Sequence, residues 1–241
     1  MHSVVSKIVP VIDLKSNQVV HAIAGERDSY RPIRSRLTES STPIDIAQAF
    51  ADLGFRNIYV ADLDAIAGAE PDWIAYEAIA ASGLKLWVDN GIQKVAIARQ
   101  LRDLGHRVIV GLEAIHSLKK IDEITSAIEA ENMIVSIDMR SGQLITNVPE
   151  WSELSPNDVA LQLSQMGVGE FILLDLTHVG TEAGISRRMT ELVRSVRHAS
   201  PNTRIYSGGG VKFESDVLGM IEAGCDAVLV STALHNQTIS L

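Results

Sequence analysis

The feature that most constrains this chain is that it repeats itself. The segment Val11-Ile12-Asp13-Leu14-Lys15-Ser16-Asn17-Gln18 aligns with Ser136-Ile137-Asp138-Met139-Arg140-Ser141-Gly142-Gln143, and Ile12, Asp13, Ser16 and Gln18 recur identically at an offset of 125. Pro43, Asp45, Ala47, Gly54, Asp62 and Leu63 recur as Pro156, Asp158, Ala160, Gly167, Asp175 and Leu176 at an offset of 113. Gly91 and Gly105 recur as Gly210 and Gly224 at an offset of 119. The order is kept and only the connecting lengths change. The chain therefore reads as two similar halves, about residues 1–128 and 129–241.

Short apolar, β-branched runs fall at 8–14, 57–63, 85–90, 107–111, 133–138, 170–176, 204–208 and 227–231. Most are continuously apolar, the pattern of parallel strands covered on both faces. Helical patterns lie between them. Those at 45–53 and 158–166 each open with Pro and Asp and stop at a glycine, Gly54 and Gly167. Eight strand–helix alternations imply parallel pairing. The 241 residues suit an α/β fold of the closed (β/α)8 barrel (TIM barrel) type, which takes about 250. Half a barrel would leave open sheet edges. The two repeated half-barrels are thus expected to close on each other as one domain over residues 1–241.

Composition narrows the partners. Hydrophobic residues at 46% and charged residues at 21% argue against disorder. A net charge of −9 disfavours nucleic acid, because phosphate neutralisation needs a basic surface. No apolar run reaches the roughly 18 residues of a membrane span. The segment Met1–Pro10 lacks the apolar core and cleavage site of a signal peptide, so the cytoplasm is the expected compartment. Cys225 is the single cysteine and sits in an apolar run, so it reads as a buried small hydrophobe. No metal site or cofactor is read from the residues.

Active sites of such barrels sit at the carboxyl ends of the strands. Asp13 and Asp138 occupy equivalent places at the ends of strands 1 and 5, diametrically opposed in an eight-stranded barrel. Two carboxylates across one mouth can serve as general base and general acid. Alternatively each caps a loop or pairs with the nearby Lys15 or Arg140. Asp62, Asp64, Asp89 and Asp175 also lie at strand ends. Glycine-rich loops follow strands 6 and 7: Gly180-Thr181 and Gly184, then Gly208-Gly209-Gly210. Ser231-Thr232 ends strand 8. Glycines let backbone N–H groups approach an anion, and the loops after strands 7 and 8 form the usual phosphate site of the fold. Glycine also serves ordinary turns. The corresponding first-half position, Asp89-Asn90-Gly91, would repel a phosphate, and only Gly111 remains after strand 4. The loop 20–42 carries His21, Gly25, Arg27, Tyr30, Arg31, Arg34 and Arg36; it is long enough to act as a lid or anion clamp, and the alternative is a solvated loop. Trp151 could stack on a substrate ring or be buried as packing.

These residues resemble the HisA/HisF family of histidine biosynthesis, the HisA side in particular, over nearly the whole chain from Pro10-Val11-Ile12-Asp13-Leu14 to Ser231-Thr232-Ala233-Leu234. The resemblance implies a half-barrel repeat, Asp13 as general base and Asp138 as general acid. It implies a cofactor-independent Amadori rearrangement of an aminoaldose phosphate to an aminoketose phosphate. The sequence departs from that pattern. Asp89-Asn90-Gly91-Ile92-Gln93 stands where HisA has Gly-Gly-Gly-Ile-Arg. Val179 replaces an Asp, Leu174 a Thr, Ser231-Thr232 a Gly-Arg and His21 an Arg. The segment from Val19 to Tyr30 resembles instead a divergent group of methanogens and methylotrophs, which implies a link to tetrahydromethanopterin-dependent one-carbon metabolism. The leading expectation is an isomerase of a small phosphorylated sugar. The alternatives are the authentic histidine-pathway isomerase and a non-catalytic phosphate-ligand-binding barrel.

Overall fold

The computed structural model describes residues 4–239, so the first three residues of the Met1–Pro10 segment lie outside the described residues. Eight parallel strands form a closed barrel: β1 (Ile8–Lys15), β2 (Asn57–Asp62), β3 (Lys85–Asp89), β4 (Arg107–Gly111), β5 (Met133–Arg140), β6 (Glu170–Asp175), β7 (Arg204–Gly208) and β8 (Ala227–Val230). Each pairs with the next, and β8 closes on β1 with Ile8 opposite Val228 and Pro10 opposite Val230. Around them pack α1 (Pro43–Asp52), α2 (Trp73–Ala80), α3 (Val95–Asp103), α4 (Leu118–Ile128), α5 (Pro156–Gln165), α6 (Arg187–Ala199) and α7 (Glu214–Ala223). No helix among the described residues is long and apolar enough to cross a membrane.

Strand periodicity sorts the side chains into two cores. Val9, Tyr59, Trp87, Ile109, Ile134, Ile172, Tyr206 and Leu229 fill the barrel interior. Their strand neighbours, among them Ile8, Ile58, Leu86, Val108, Val135, Phe171, Ile205 and Val228, face the helices. Cys225 belongs to this outer core, where burial pushes its thiol up to about 12. At the amino-terminal end of the barrel, Arg107 pairs with Glu170 at 2.8 Å and Tyr206 Oη donates to the same carboxylate at 2.6 Å. This pair plugs the barrel's interior from below; a wide cleft lined by Lys85, Arg107, Glu170 and Arg204 lies outside the plug, and a separate cavity lies at the carboxyl-terminal mouth.

Local geometry recurs where the sequence recurs. β1 ends in a hairpin with the short strand Gln18–His21, and β5 in one with Gln143–Leu144. Ser16 and Asn17, like Ser141 and Gly142, have positive φ, the requirement of the two-residue turns that match strand twist. These hairpins carry β1 and β5 past the expected ends at Leu14 and Asp138. Conversely β2 and β6 stop before Leu63 and Leu176, because Asp62 and Asp175 cap the single turns Leu63–Ile66 and Leu176–His178. Thr42 and Ser155 cap α1 and α5 by accepting from the backbone N–H of Asp45 and Asp158, with Pro43 and Pro156 at the first helical position. Both helices therefore begin two residues earlier than the apolar periodicity alone indicates.

Candidate functional site

The mouth holds a cavity of about 310 Å³. Asp13, Asp89, Glu113 and Asp138 line it from β1, β3, the turn after β4, and β5, facing Arg27, Tyr30, Arg140 and Tyr59. Parallel register places Asp13 beside Ala61 and Asp138 beside Leu174, so both carboxylates rise at the same height from strands four apart. Burial pushes the Asp13 carboxyl up to about 7, opposed by the Arg27 guanidinium and assisted by Asp89. Burial also pushes Asp138 up to about 7, opposed by its hydrogen bond from Ser136 Oγ at 2.6 Å and assisted by Asp89. Glu113 rises to about 8 through burial and the charges of Asp138 and Asp89, and burial raises Asp89 as well. Several carboxyls in one low-dielectric pocket cannot all ionise, so near neutral pH they hold protons among themselves.

The other strand-end aspartates are committed elsewhere. Asp62 accepts from Ala65 N, Asp72 N and the Tyr76 hydroxyl. Asp64 accepts from Ser16 N at 2.6 Å. Asp175 accepts from Gly142 N and Thr177 N. They hold the mouth's loops. By contrast Asp13 has no hydrogen-bond donor on its carboxylate among the described residues, and Asp138 has only Ser136.

On the β6–β8 side, Gly180, Gly209, Gly210, Ser231 and Thr232 line the cavity. Gly180 has φ +70°, and a Cβ there would lie 1.9 Å from the Ala22 carbonyl oxygen. Gly210 has φ +85°, and a Cβ there would meet Gly184 O at 2.6 Å. Gly184 N donates to Gly210 O at 2.8 Å, tying the β6 and β7 loops together. Gly208 and Gly184 thus support the cradle from behind without lining it. Gly208 has Leu229 O where its Cβ would be, at 2.7 Å. His21 Nε2 lies 3.2 Å from Thr232 Oγ1 and fixes that side chain. Thr181 is exposed, and its hydroxyl donates to His178 O in its own loop, so it stands outside the cavity.

The loop 20–42 crosses the mouth. Ala24 N donates to Val179 O and Arg36 N to His235 O, and His235 Nδ1 lies 2.9 Å from Ser35 Oγ. Of its four arginines, only Arg27 lines the cavity, whereas Arg31 bonds the Asp28 and Tyr30 carbonyls within its own turn. Trp151 corrects the stacking expectation. It is 0% exposed in the outer core, and its indole N–H donates to Gln162 Oε1 at 2.7 Å. It packs beneath the β5 loop and cannot reach a substrate. The sequence pattern does not single out Glu113, Glu182 or Tyr59, which also line the cavity. Glu113 stands two residues past a strand end in an unremarkable turn, and Glu182 is hidden in the spacing between two glycines. Glu182 has φ +49° and accepts from Asn236 at 3.1 Å.

The sequence matches the family described as histidine biosynthesis protein over residues 7–240. The chain belongs to this family. An uncharacterized protein of Methanocaldococcus jannaschii is 30% identical over 239 residues, covering 98% of this chain and 96% of that protein. A protein of Methanococcus vannielii named 1-(5-phosphoribosyl)-5-((5-phosphoribosylamino)methylideneamino)imidazole-4-carboxamide isomerase is 31% identical, covering 97% of this chain and 96% of its own length. A protein of the same name from Natronomonas pharaonis is 29% identical, with 98% and 95% covered. That name carries two phosphoribosyl groups. In this histidine biosynthesis family member, one side of the mouth is a glycine cradle that also carries Glu182, and the other is faced by Asp89 and Glu113.

Proposed function

We propose that this chain is a cofactor-independent isomerase that converts a phosphorylated ribosyl compound from an aldose to a ketose form by an Amadori-type rearrangement. The observation that carries the reading is a single cavity lined by Asp13 and Asp138 with Gly180, Gly209, Gly210 and Thr232 beside them. The phosphate sits on the glycine loops, whose backbone N–H groups can come close because no side chain intervenes. Asp138, protonated, donates to the ring oxygen as the C1–O bond breaks and C1 becomes an iminium. Asp13, ionised, removes the proton from C2. The resulting enaminol tautomerises to the aminoketose, with C1 reduced and C2 oxidised within one molecule. Arg27 favours the ionised form of both Asp13 and Asp138, and the raised pKa values bring both groups near the neutral range where acid–base catalysis is most effective.

The substrate carries one phosphate. A second phosphate, such as the named relatives' substrate bears, would lie against Asp89 and Glu113 and be repelled. The resemblance of the segment from Val19 to Tyr30 to a divergent group of methanogens and methylotrophs carries the narrower reading that the substrate is a phosphoribosyl compound of tetrahydromethanopterin-linked metabolism. Complementation tests the distinction. This chain, expressed in a histidine auxotroph lacking the isomerase, is expected to leave growth unrescued. Rescue would establish the histidine-pathway reaction and remove the one-phosphate reading.

A further inference from the structure

The carboxylate side of the mouth is built, not merely degraded. Gly111 ends β4, and an added Cβ there would lie 2.5 Å from both carboxylate oxygens of Glu113. The missing side chain is the space into which Glu113 folds. Its Oε2 is buried and has no hydrogen-bond partner among the described residues. Asp89, 4% exposed, is held at the end of the neighbouring strand β3: Tyr59 Oη donates to its Oδ2 at 2.9 Å and Gly91 N to its Oδ1 at 3.2 Å. Each of these oxygens retains a further lone pair. Both residues line the same cavity as the glycine cradle. No lysine lines that cavity, and its arginines are Arg27 from the loop after β1 and Arg140 at the end of β5. A buried polar atom without a hydrogen-bond partner is costly, and Glu113 Oε2 is such an atom facing the cavity.

We infer that Asp89 and Glu113 form a subsite for a protonated amino group of the substrate, opposite the phosphate on the Gly180–Gly210 loops. The inference rests on the one-phosphate reading above and names the other end of that substrate: an amino-substituted sugar phosphate, anionic at one end and cationic at the other. The ammonium donates to Glu113 Oε2 and to Asp89, and its charge lets both carboxyls ionise in the pocket. The charge also discriminates. A second phosphate is rejected by the same two groups that accept an amine.

The test is a matched probe pair, D-glucosamine 6-phosphate and D-glucose 6-phosphate, which differ by the amino group alone. Each is titrated calorimetrically into the full chain at pH 7 and low salt. The amino sugar is expected to bind about tenfold tighter, the equivalent of about 1.4 kcal/mol. In the Asp89→Asn, Glu113→Gln double variant the two sugars are expected to bind alike, and binding of either one reports that the variant is folded. Equal affinities in the unmodified protein, or a preference that survives in the double variant, would overturn the inference and leave the phosphate cradle standing. Binding of neither sugar to the unmodified protein overturns the cradle and the inference together.

Discussion

The two sides of the barrel mouth are built on the same frame and present opposite chemistry. After β7 the chain runs Gly208-Gly209-Gly210, and Gly209 and Gly210 have positive φ. After β3, at the offset of 119, it runs Asp89-Asn90-Gly91, and Gly91 alone has positive φ, +62°. Gly91 keeps the turn, because a Cβ there would meet Ile66 Cα at 3.0 Å. The two residues before it have become a carboxylate aimed into the cavity and a buried amide. After β4, Glu113 adds a second carboxylate. The difference teaches that the barrel dictates where a loop turns, while one or two side chains on the loop decide which charge it receives.

The largest expected effect falls on the pair between the two sides. Asp13→Asn is expected to lower turnover at least about 10²-fold, the low end for acid–base catalysis, with ligand affinity nearly kept. Unchanged turnover would remove Asp13 from the chemistry and leave the two sides as a binding site only. Asp138→Asn is expected to behave likewise.

Next come the two sides themselves, which separate by their glycines. Gly180→Ala forces a side chain into φ +70° and against the Ala22 carbonyl. At about 1–3 kcal/mol of strain, sugar-phosphate affinity should fall about tenfold or more. Gly111→Ala displaces Glu113, and should erase the preference for an amino sugar while phosphate binding persists. If both variants lose the same property, the two sides do not divide the labour and the comparison fails.

A smaller effect is thermal. Burial pushes the Asp13 and Asp138 carboxyls up to about 7 in the folded protein, from an ordinary 3.8 in the unfolded chain. The folded state therefore binds more protons than the unfolded state between about pH 4 and 7. Their contribution to stability is fully present below pH 4 and is lost as pH rises through 7. The melting temperature should fall over that window, by about 2–4 °C per kcal/mol for a chain of this size. The Asp13→Asn, Asp138→Asn double variant should show a shallower fall and melt higher at pH 8. A fall of equal steepness in the double variant would mean that other groups set the profile. The smallest effect belongs to Trp151. Trp151→Phe should lower the melting temperature but change sugar-phosphate affinity by less than about twofold, and a larger loss would return the ring to the site.

Much of the frame was legible because its causes are local. Pro43 and Pro156, Thr42 and Ser155, and the positive-φ turns at Ser16 and Ser141 act within a few residues, so a repeated sequence yields repeated geometry. Asp13 and Asp138 were legible as a pair because a strand's end is a local property and barrel closure puts such ends on one face. The loop between β1 and α1 was not. Arg27, Arg31, Arg34 and Arg36 look alike in sequence, and only the backbone bonds of Ala24 to Val179 and Arg36 to His235 choose Arg27 to face the cavity. Trp151 was ambiguous for the same reason, since burial and stacking both suit an indole.

What the sequence determined by itself, then, was the order of the eight barrel strands with helices between them, and the places of the strand-end aspartates. These follow from periodicity and short-range hydrogen bonds. Which of those carboxylates are free, and how strongly they hold a proton, was decided only by the tertiary structure. Asp62 and Asp175 are spent on loop backbones, whereas Asp13, Asp89, Glu113 and Asp138 share one enclosed volume. Desolvation and mutual repulsion exist only once the barrel has closed and brought distant segments into that volume.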